Sequence, residues 1–326
     1  VMSGGNVTAG VQGTSQFTMV FTVQNEGAAT LNHTVNTTNL VNCTATPALG
    51  ASTAGASSSA LTVQVTPTAF GVFSYRIEID NDDTTGNEDP YIINVRGVSR
   101  GTTMLFYAGD ADLVDAVVAG SNFAAPTDAW IYERFVVPAG QTWTVERLMC
   151  SVVSDEQDVT QADFEFRTGM AVGTGGTVTN SGTGLNASWI RVSEGVYGFP
   201  EYVLILQLPT PVNLVAGTYF VGVRPRGLTR GITFMSTTDG TNGTVAADDF
   251  ALWHDNGGQF GATPYEQSSD GAGTNYDHSI GIEGTSGTAG GGTLNITTTS
   301  LPNGVVGIAY TTTTITAVQT GGLTAP

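Results

Sequence analysis

Lysine is absent from this 326-residue chain; all ten basic residues are arginine. That excludes any Lys–Asn isopeptide cross-link and any lysine-based chemistry. Basic charge is scarce overall, with 10 basic residues against 28 acidic ones and a net charge of −18. Such a surface repels phosphate backbones and anionic membranes, so no nucleic-acid partner is expected. Cysteine is nearly absent too. Cys43 and Cys150 stand alone without a C-x-x-C pair, which leaves too few thiolates for a zinc site. They are either one long-range disulfide or two separate buried thiols. No apolar run reaches the ~18 residues that a membrane span requires. The chain does not open on Met, which fits a processed N-terminus.

Catalytic signatures are missing as well. There is no G-x-S-x-G elbow, no H-E-x-x-H and no glycine-rich phosphate loop between a strand and a helix. The three histidines, His33, His254 and His278, are far apart in sequence. The expectation is a protein that is not an enzyme and requires no cofactor.

What the chain has instead is glycine, threonine, serine and alanine around a 40% hydrophobic content. Apolar residues alternate with period two. Phe17, Met19, Phe21 and Val23 share one face of "QFTMVFTVQNEG". Leu61, Val63 and Val65 do so in "ALTVQVTP", as do Phe73, Tyr75, Ile77 and Ile79 in "GVFSYRIEID" and Tyr91, Ile93 and Val95 in "YIINVRG". Period two is the mark of half-buried strands, and turn signals at this spacing predict a sandwich of about seven strands over residues 1–98. Residues 104–284 read as a larger antiparallel unit. There "AWIYERFVVPAGQTWTVERLMCSVV" is expected to hold two strands joined by a turn at Pro138-Ala139-Gly140. "YVLILQLPTPVNLVAGTYFVGVRP" is expected to hold two more, and the whole unit predicts a jelly roll. A Gly-rich linker follows at 285–293, then an incomplete strand-forming segment at 294–326. The fold class expected is all-β: an Ig-like β-sandwich, a larger jelly-roll-like β-sandwich and a C-terminal β segment.

Three resemblances accompany this reading. "FTVQNEGAATL" and "LTVQVTPTAFGVFSYRIEIDNDDTTGNEDPYIINVRG" resemble the immunoglobulin-like modules of the Hydin-related and choice-of-anchor D type, over about residues 15–98. The stretch Asn32 to Ala60 departs from that pattern. "VPAGQTW" and "LPTPVNLVAGTYFVGV" resemble a β-sandwich accessory module of secreted bacterial multidomain proteins, over about 104–284. "LPNGVVGIAY" resembles the opening of a putative-Ig repeat, which implies a domain continuing past Pro326.

The acidic stretch "IDNDDTTGNEDP" invites a metal reading. Its place between two apolar runs predicts the tip of a hairpin, where Asp and Asn bond their own backbone. An EF-hand is excluded, because its required Gly is Thr85 here. Calcium is the ion to expect elsewhere, on Asp110, Asp112 and Asp115 of "GDADLVDA" and on Asp239 and Asn242 of "DGTNG". Glycan stacking would fall to Trp189 and Trp253, which lie beside polar turns. N-x-[S/T] sequons occur at Asn6, Asn32, Asn36, Asn42, Asn186, Asn242 and Asn295.

The segment from Leu294 carries strand-forming residues without a domain to complete. Ile296, Val306, Ile308, Tyr310 and Ile315 are expected to be buried by pairing with a neighbouring subunit, giving a homo-oligomer or polymer. Together these features point to an extracellular or cell-surface structural protein, a subunit of a fibre, sheath or adhesive layer. The alternative is a carbohydrate-binding accessory region of a larger secreted enzyme.

Overall fold

The computed structural model describes residues 3–50, 52–83, 89–122, 128–155, 159–227, 233–248, 250–256, 264–269, 275–288, 293–296 and 317–320. The fold is all-β, with no helix among the described residues, and none is long and apolar enough to cross a membrane.

The first part contains β1 (Gly5–Gln12), β2 (Phe17–Asn25), β3 (Leu31–Val41), β4 (Cys43–Ala48), β5 (Ser52–Thr53), β6 (Ser57–Pro67), β7 (Gly71–Asn81) and β8 (Tyr91–Ser99). They form a five-stranded sheet, β1-β8-β7-β3-β5, and a three-stranded sheet, β2-β6-β4. β1 runs parallel to β8, and every other pair is antiparallel. The core lies where the alternation places it. Leu61, Val63 and Val65 of one sheet face Phe73, Tyr75 and Ile77 of the other. The hairpin β7–β8 is in register through Ile79–Tyr91, which puts Asp80 to Asp83 and Asp89–Pro90 at its tip end. There Asp82 accepts the N–H and side-chain amide of Asn32 at 2.9 and 2.6 Å, and Asp89 accepts the N–H of Asn81 at 3.0 Å. Glu88 lies outside the described residues.

The second part contains β9 (Met104–Tyr107), β10 (Ala116–Val118), β11 (Gly120–Asn122), β12 (Asp128–Ser154), β13 (Gln161–Thr168), β14 (Thr177–Ser193), β15 (Glu201–Gly227), β16 (Thr233–Thr238), β17 (Ala251–Asp255), β18 (Glu266–Gln267), β19 (Asp277–His278) and β20 (Ile280–Thr288). Here the expected turn at Pro138-Ala139-Gly140 is corrected. β12 is one strand of 27 residues, and β15 matches it at the same length. The two pair antiparallel on both sides of the Pro-Ala-Gly step, with register shifts between Val137 and Thr142 and between Val145 and Arg147. The residues are bulges, not a hairpin. Gly140 takes φ +77° there, which a side-chain-bearing residue would resist.

These bulges let long strands belong to two layers, as in sandwiches whose corners are made by strands that switch sheets. The first half of β12 lies between β17 and β15, and its second half between β20 and β15. β14 likewise pairs with β13 over 177–186 and with β15 over 187–193. Between the layers lies one apolar core that includes Phe135, Trp143, Leu148, Phe166, Leu204 and Val221.

The two parts meet in an apolar seam. Phe70 and Val98, with Val11 and Val72 beside them, pack against Tyr107, Met149, Ile190, Val192, Val203 and Ile205. Thr8 Oγ1 donates across the seam to the Val192 carbonyl at 3.3 Å. Gly101 has φ +62°, and a Cβ there would stand 2.8 Å from Phe70 Cβ, so the connecting segment can hug the seam only as glycine. Arg100 bonds the Gln12 carbonyl through its N–H, pairs with Asp110 and lies 5.4 Å from the Tyr107 ring centroid. Cys43 and Cys150 are both buried and free.

After β20, β21 (Thr293–Ile296) and β22 (Ala317–Thr320) form a two-stranded antiparallel sheet. Val306, Ile308, Tyr310 and Ile315 lie outside the described residues.

Candidate functional site

Among the described residues, one group of carboxylates that the sequence reading did not single out could hold a metal ion. Glu133 of β12, Asp248 and Asp277 of β19 bring carboxylate oxygens within 4.8 Å of one another. Glu133 occupies an inward position in its strand, in phase with Ile131 and Phe135 of the core. An acid on the apolar phase of a strand is the signal that could have found it. Glu133 and Asp277 are 2% and 3% exposed, whereas Asp248 is open to solvent.

The donors around the group define its chemistry. Asp277 accepts the backbone N–H of Asp248 at 2.7 Å and of Phe250 at 2.9 Å. Asp248 accepts Arg134 Nη2 at 2.7 Å. Glu133 Oε2 accepts the N–H of His278 at 2.8 Å. Burial pushes the Glu133 carboxyl well above the usual range, and the neighbouring charges of Asp277 and Asp248 push the same way. Two buried carboxylates this close are unfavourable when both are ionised, which adds to the burial that raises Glu133. The oxygen set has the hard character that suits a divalent cation. Through these bonds β19, Asp248 and Phe250 are tied to one another and to β12.

Next to it, His278 is fully buried, and its Nε2 lies 2.8 Å from Ser268 Oγ. Burial lowers its pKa to about 4, so the ring is neutral. His254 stacks on Tyr265 with centroids 4.0 Å apart, and His33 Nε2 meets Thr53 Oγ1 at 2.9 Å in the first sandwich. The three histidines serve three separate places.

The expected calcium ligands are brought to one region, and protein donors meet most of them. Asp110 accepts Arg100, the Tyr107 hydroxyl at 2.8 Å and the Asn242 amide at 2.7 Å. Asp112 accepts Thr237 Oγ1 and the N–H of Val114, both at 2.8 Å. Asp115 accepts the N–H of Ala116 at 2.7 Å and the hydroxyls of Tyr276 and Tyr197. Asp239 caps its own turn through the N–H of Thr241 at 2.8 Å. These carboxylates pin the 110–115 loop to β16 and to the 239–242 turn.

Trp253 and Trp189 are half-buried against the larger core. Trp253 Nε1 donates to the Val118 carbonyl at 2.9 Å. Trp189 stacks on Tyr202 with centroids 4.5 Å apart and planes at 17°.

No protein-family model and no curated protein matches the chain. Among solved structures, the secreted serine protease VesC from Vibrio cholerae is similar at 11% identity and a TM-score of 0.31, over 68% of this chain and 50% of its own. The chain thus spans about half the length of that protease. The C-terminal domain of the Streptococcus agalactiae AgI/II polypeptide BspA is similar at 11% identity and a TM-score of 0.15, over 87% and 96% of the two chains. A mutant of the enterotoxigenic E. coli CFA/I adhesin CfaE is similar at 7% identity and a TM-score of 0.19, over 84% and 95%. Overlaps of this extent carry no argument about function.

Proposed function

We propose that the chain is a non-catalytic structural subunit of an extracellular or cell-surface fibre, sheath or adhesive layer. In this reading the two sandwiches form a stiff spacer, and strand contacts between subunits assemble it. The observation that carries the reading is the seam between the two parts. Inter-domain contacts are usually polar and allow motion. Here the contact is apolar and buried: Phe70 is 6% exposed, and Val98 and Val203 are fully buried. The connecting Arg100 is tied at both ends. A spacer that transmits force needs such a joint, whereas a pair of sites that open and close does not. The absence of lysine and the net charge of −18 suit a surface exposed to medium rather than to nucleic acid.

Assembly is the test. The purified full chain is concentrated stepwise and followed by light scattering and negative-stain electron microscopy. Ordered filaments or sheets with a repeat as long as the two sandwiches are expected. A monodisperse single particle at every concentration would remove the reading.

A further inference from the structure

Two loops meet at one end of the second sandwich, 109–115 ahead of β10 and 194–200 between β14 and β15. The Tyr197 hydroxyl donates to the Asp115 carboxylate, which sets the two tips side by side. Both tips hold bulky apolar side chains out in solvent. Val114 is 73% exposed, Tyr197 58% and Leu113 45%. Beneath them Phe199 and Phe234 are half-buried, with ring centroids 6.4 Å apart, and the Tyr197 ring lies 6.1 Å from Phe234. These rings rest on the buried Ala116, Val153 and Val196. The surface is therefore one patch with its own small core, not a scatter of single apolar residues.

The backbone is bent to present it. Leu113 has φ +59° and Tyr197 has φ +57°, in the left-handed region that a bulky side chain resists. Glycine or asparagine would sit there at lower cost, and both side chains stay exposed all the same.

Charge selects the occupant. The two loops hold four carboxylates, Asp110, Asp112, Asp115 and Glu194, and no cation. The nearby Arg191 is paired with Glu194 at 2.8 Å, and Arg100 is paired with Asp110. An exposed ring among carboxylates attracts a cation on an aliphatic stem, which is what lysine and arginine carry. A second copy is a poor source of one. The chain has no lysine, eight of its ten arginines are already in ion pairs, and two copies of charge −18 repel each other. The same charge keeps anionic membranes away.

We infer that this loop-tip patch docks a lysine- or arginine-bearing segment of another protein. Aliphatic residues of that segment cover Leu113 and Val114. Its cation lies over the Tyr197 ring, with Asp112 and Asp115 as counter-charge. The inference goes beyond the assembly reading and does not depend on it.

Fluorescence anisotropy on the full chain at physiological salt tests it, with a labelled peptide of alternating lysine and valine as the probe. The lysine peptide should bind wild type, and its counterpart with glutamate in place of lysine should not. Val114→Ser and Tyr197→Ser should each weaken binding, by about tenfold when combined. Tyr197→Phe keeps the ring and should retain binding. Val20→Ser and Val178→Ser remove exposed apolar side chains elsewhere and should leave binding unchanged. Leu113→Gly should weaken binding while the melting temperature holds or rises, because the strained backbone is freed. A lysine peptide that binds every variant alike would be reading net charge only. A glutamate peptide that binds equally well would be reading apolar contact only. Either result overturns the inference, as does a wild type that binds neither peptide. A melting temperature that falls in Leu113→Gly overturns it too, since the tip would then be serving the fold.

Discussion

The Arg147 guanidinium lies 4.7 Å from the centroid of the Phe70 ring, across the seam between the two sandwiches. Its other side is held by Glu283, whose carboxylate accepts Nε at 2.7 Å and Nη2 at 3.0 Å. Glu283 also takes Thr103 Oγ1 at 2.6 Å from the connecting segment. One arginine thus joins β12, β20, the connection and the first sandwich. A cation over an aromatic face in a partly dry site adds about 1 kcal/mol beyond packing.

Phe70→Ala should therefore do more than lower stability. Truncating a buried Phe costs about 3 kcal/mol or more, and this one belongs to both parts. Differential scanning calorimetry should show the single transition of wild type split into two. One transition that merely moves down would mean that the seam does not couple the parts.

Glu133 sets a pH dependence. Its folded pKa is raised above the unfolded value, mainly by burial. Such a group leaves stability intact below the unfolded pKa of about 4.3 and erodes it as pH rises toward the folded pKa. Glu133→Gln removes that loss. The melting temperature of the variant relative to wild type should climb steadily from about pH 4 upward. A difference that is flat with pH would show Glu133 to be ionised in the folded chain.

His278 acts in the opposite direction. Its pKa falls to about 4 on burial. Its contribution is complete above the unfolded value of about 6.5 and is lost as pH falls toward 4, to a limit on the order of 3 kcal/mol. NMR titration of the ring should show no protonation at pH 5.5. A midpoint near 6.5 would contradict its burial.

At the hairpin tip, Asp82 spends its carboxylate on Asn32. Replacing Asp82 and Asp83 together by Asn should leave the melting temperature almost unchanged, with or without calcium. A calcium-dependent stabilisation lost in this double variant would make the tip an ion site.

Thiol titration should find no reactive group in the native chain and both Cys43 and Cys150 after denaturation without reductant, since each is buried and free. Fewer reactive thiols in the denatured chain would mean a bridge between the two sandwiches.

The strand class was legible because its signal is local. Phe73, Tyr75, Ile77 and Ile79 alternate with polar residues, and all four are buried as the period requires. The corner in β12 was not legible. Pro138-Ala139-Gly140 carries a turn's residues, and only the facing strand tells a bulge from a hairpin. β15 follows both halves of β12 and shifts register with it, which is a property of two segments far apart in sequence. The carboxylate cluster was hidden for the same reason. Asp248 and Asp277 stand in polar stretches that look solvated, and nothing local announces that Asp277 is buried close to Glu133. The carboxylates of Asp110, Asp112 and Asp115 were legible in the sequence, but the tyrosine, threonine and arginine donors that the fold delivers to them were not, because most come from segments far away in the chain.

The central claim is that this chain works outside the cell as part of a surface assembly. Immunogold electron microscopy of intact, unpermeabilised source cells, with antibody raised against the purified chain, tests it most directly. The account predicts gold particles in continuous rows or patches on the outer surface or on shed material. Gold confined to the cell interior, visible only after sectioning, would contradict it.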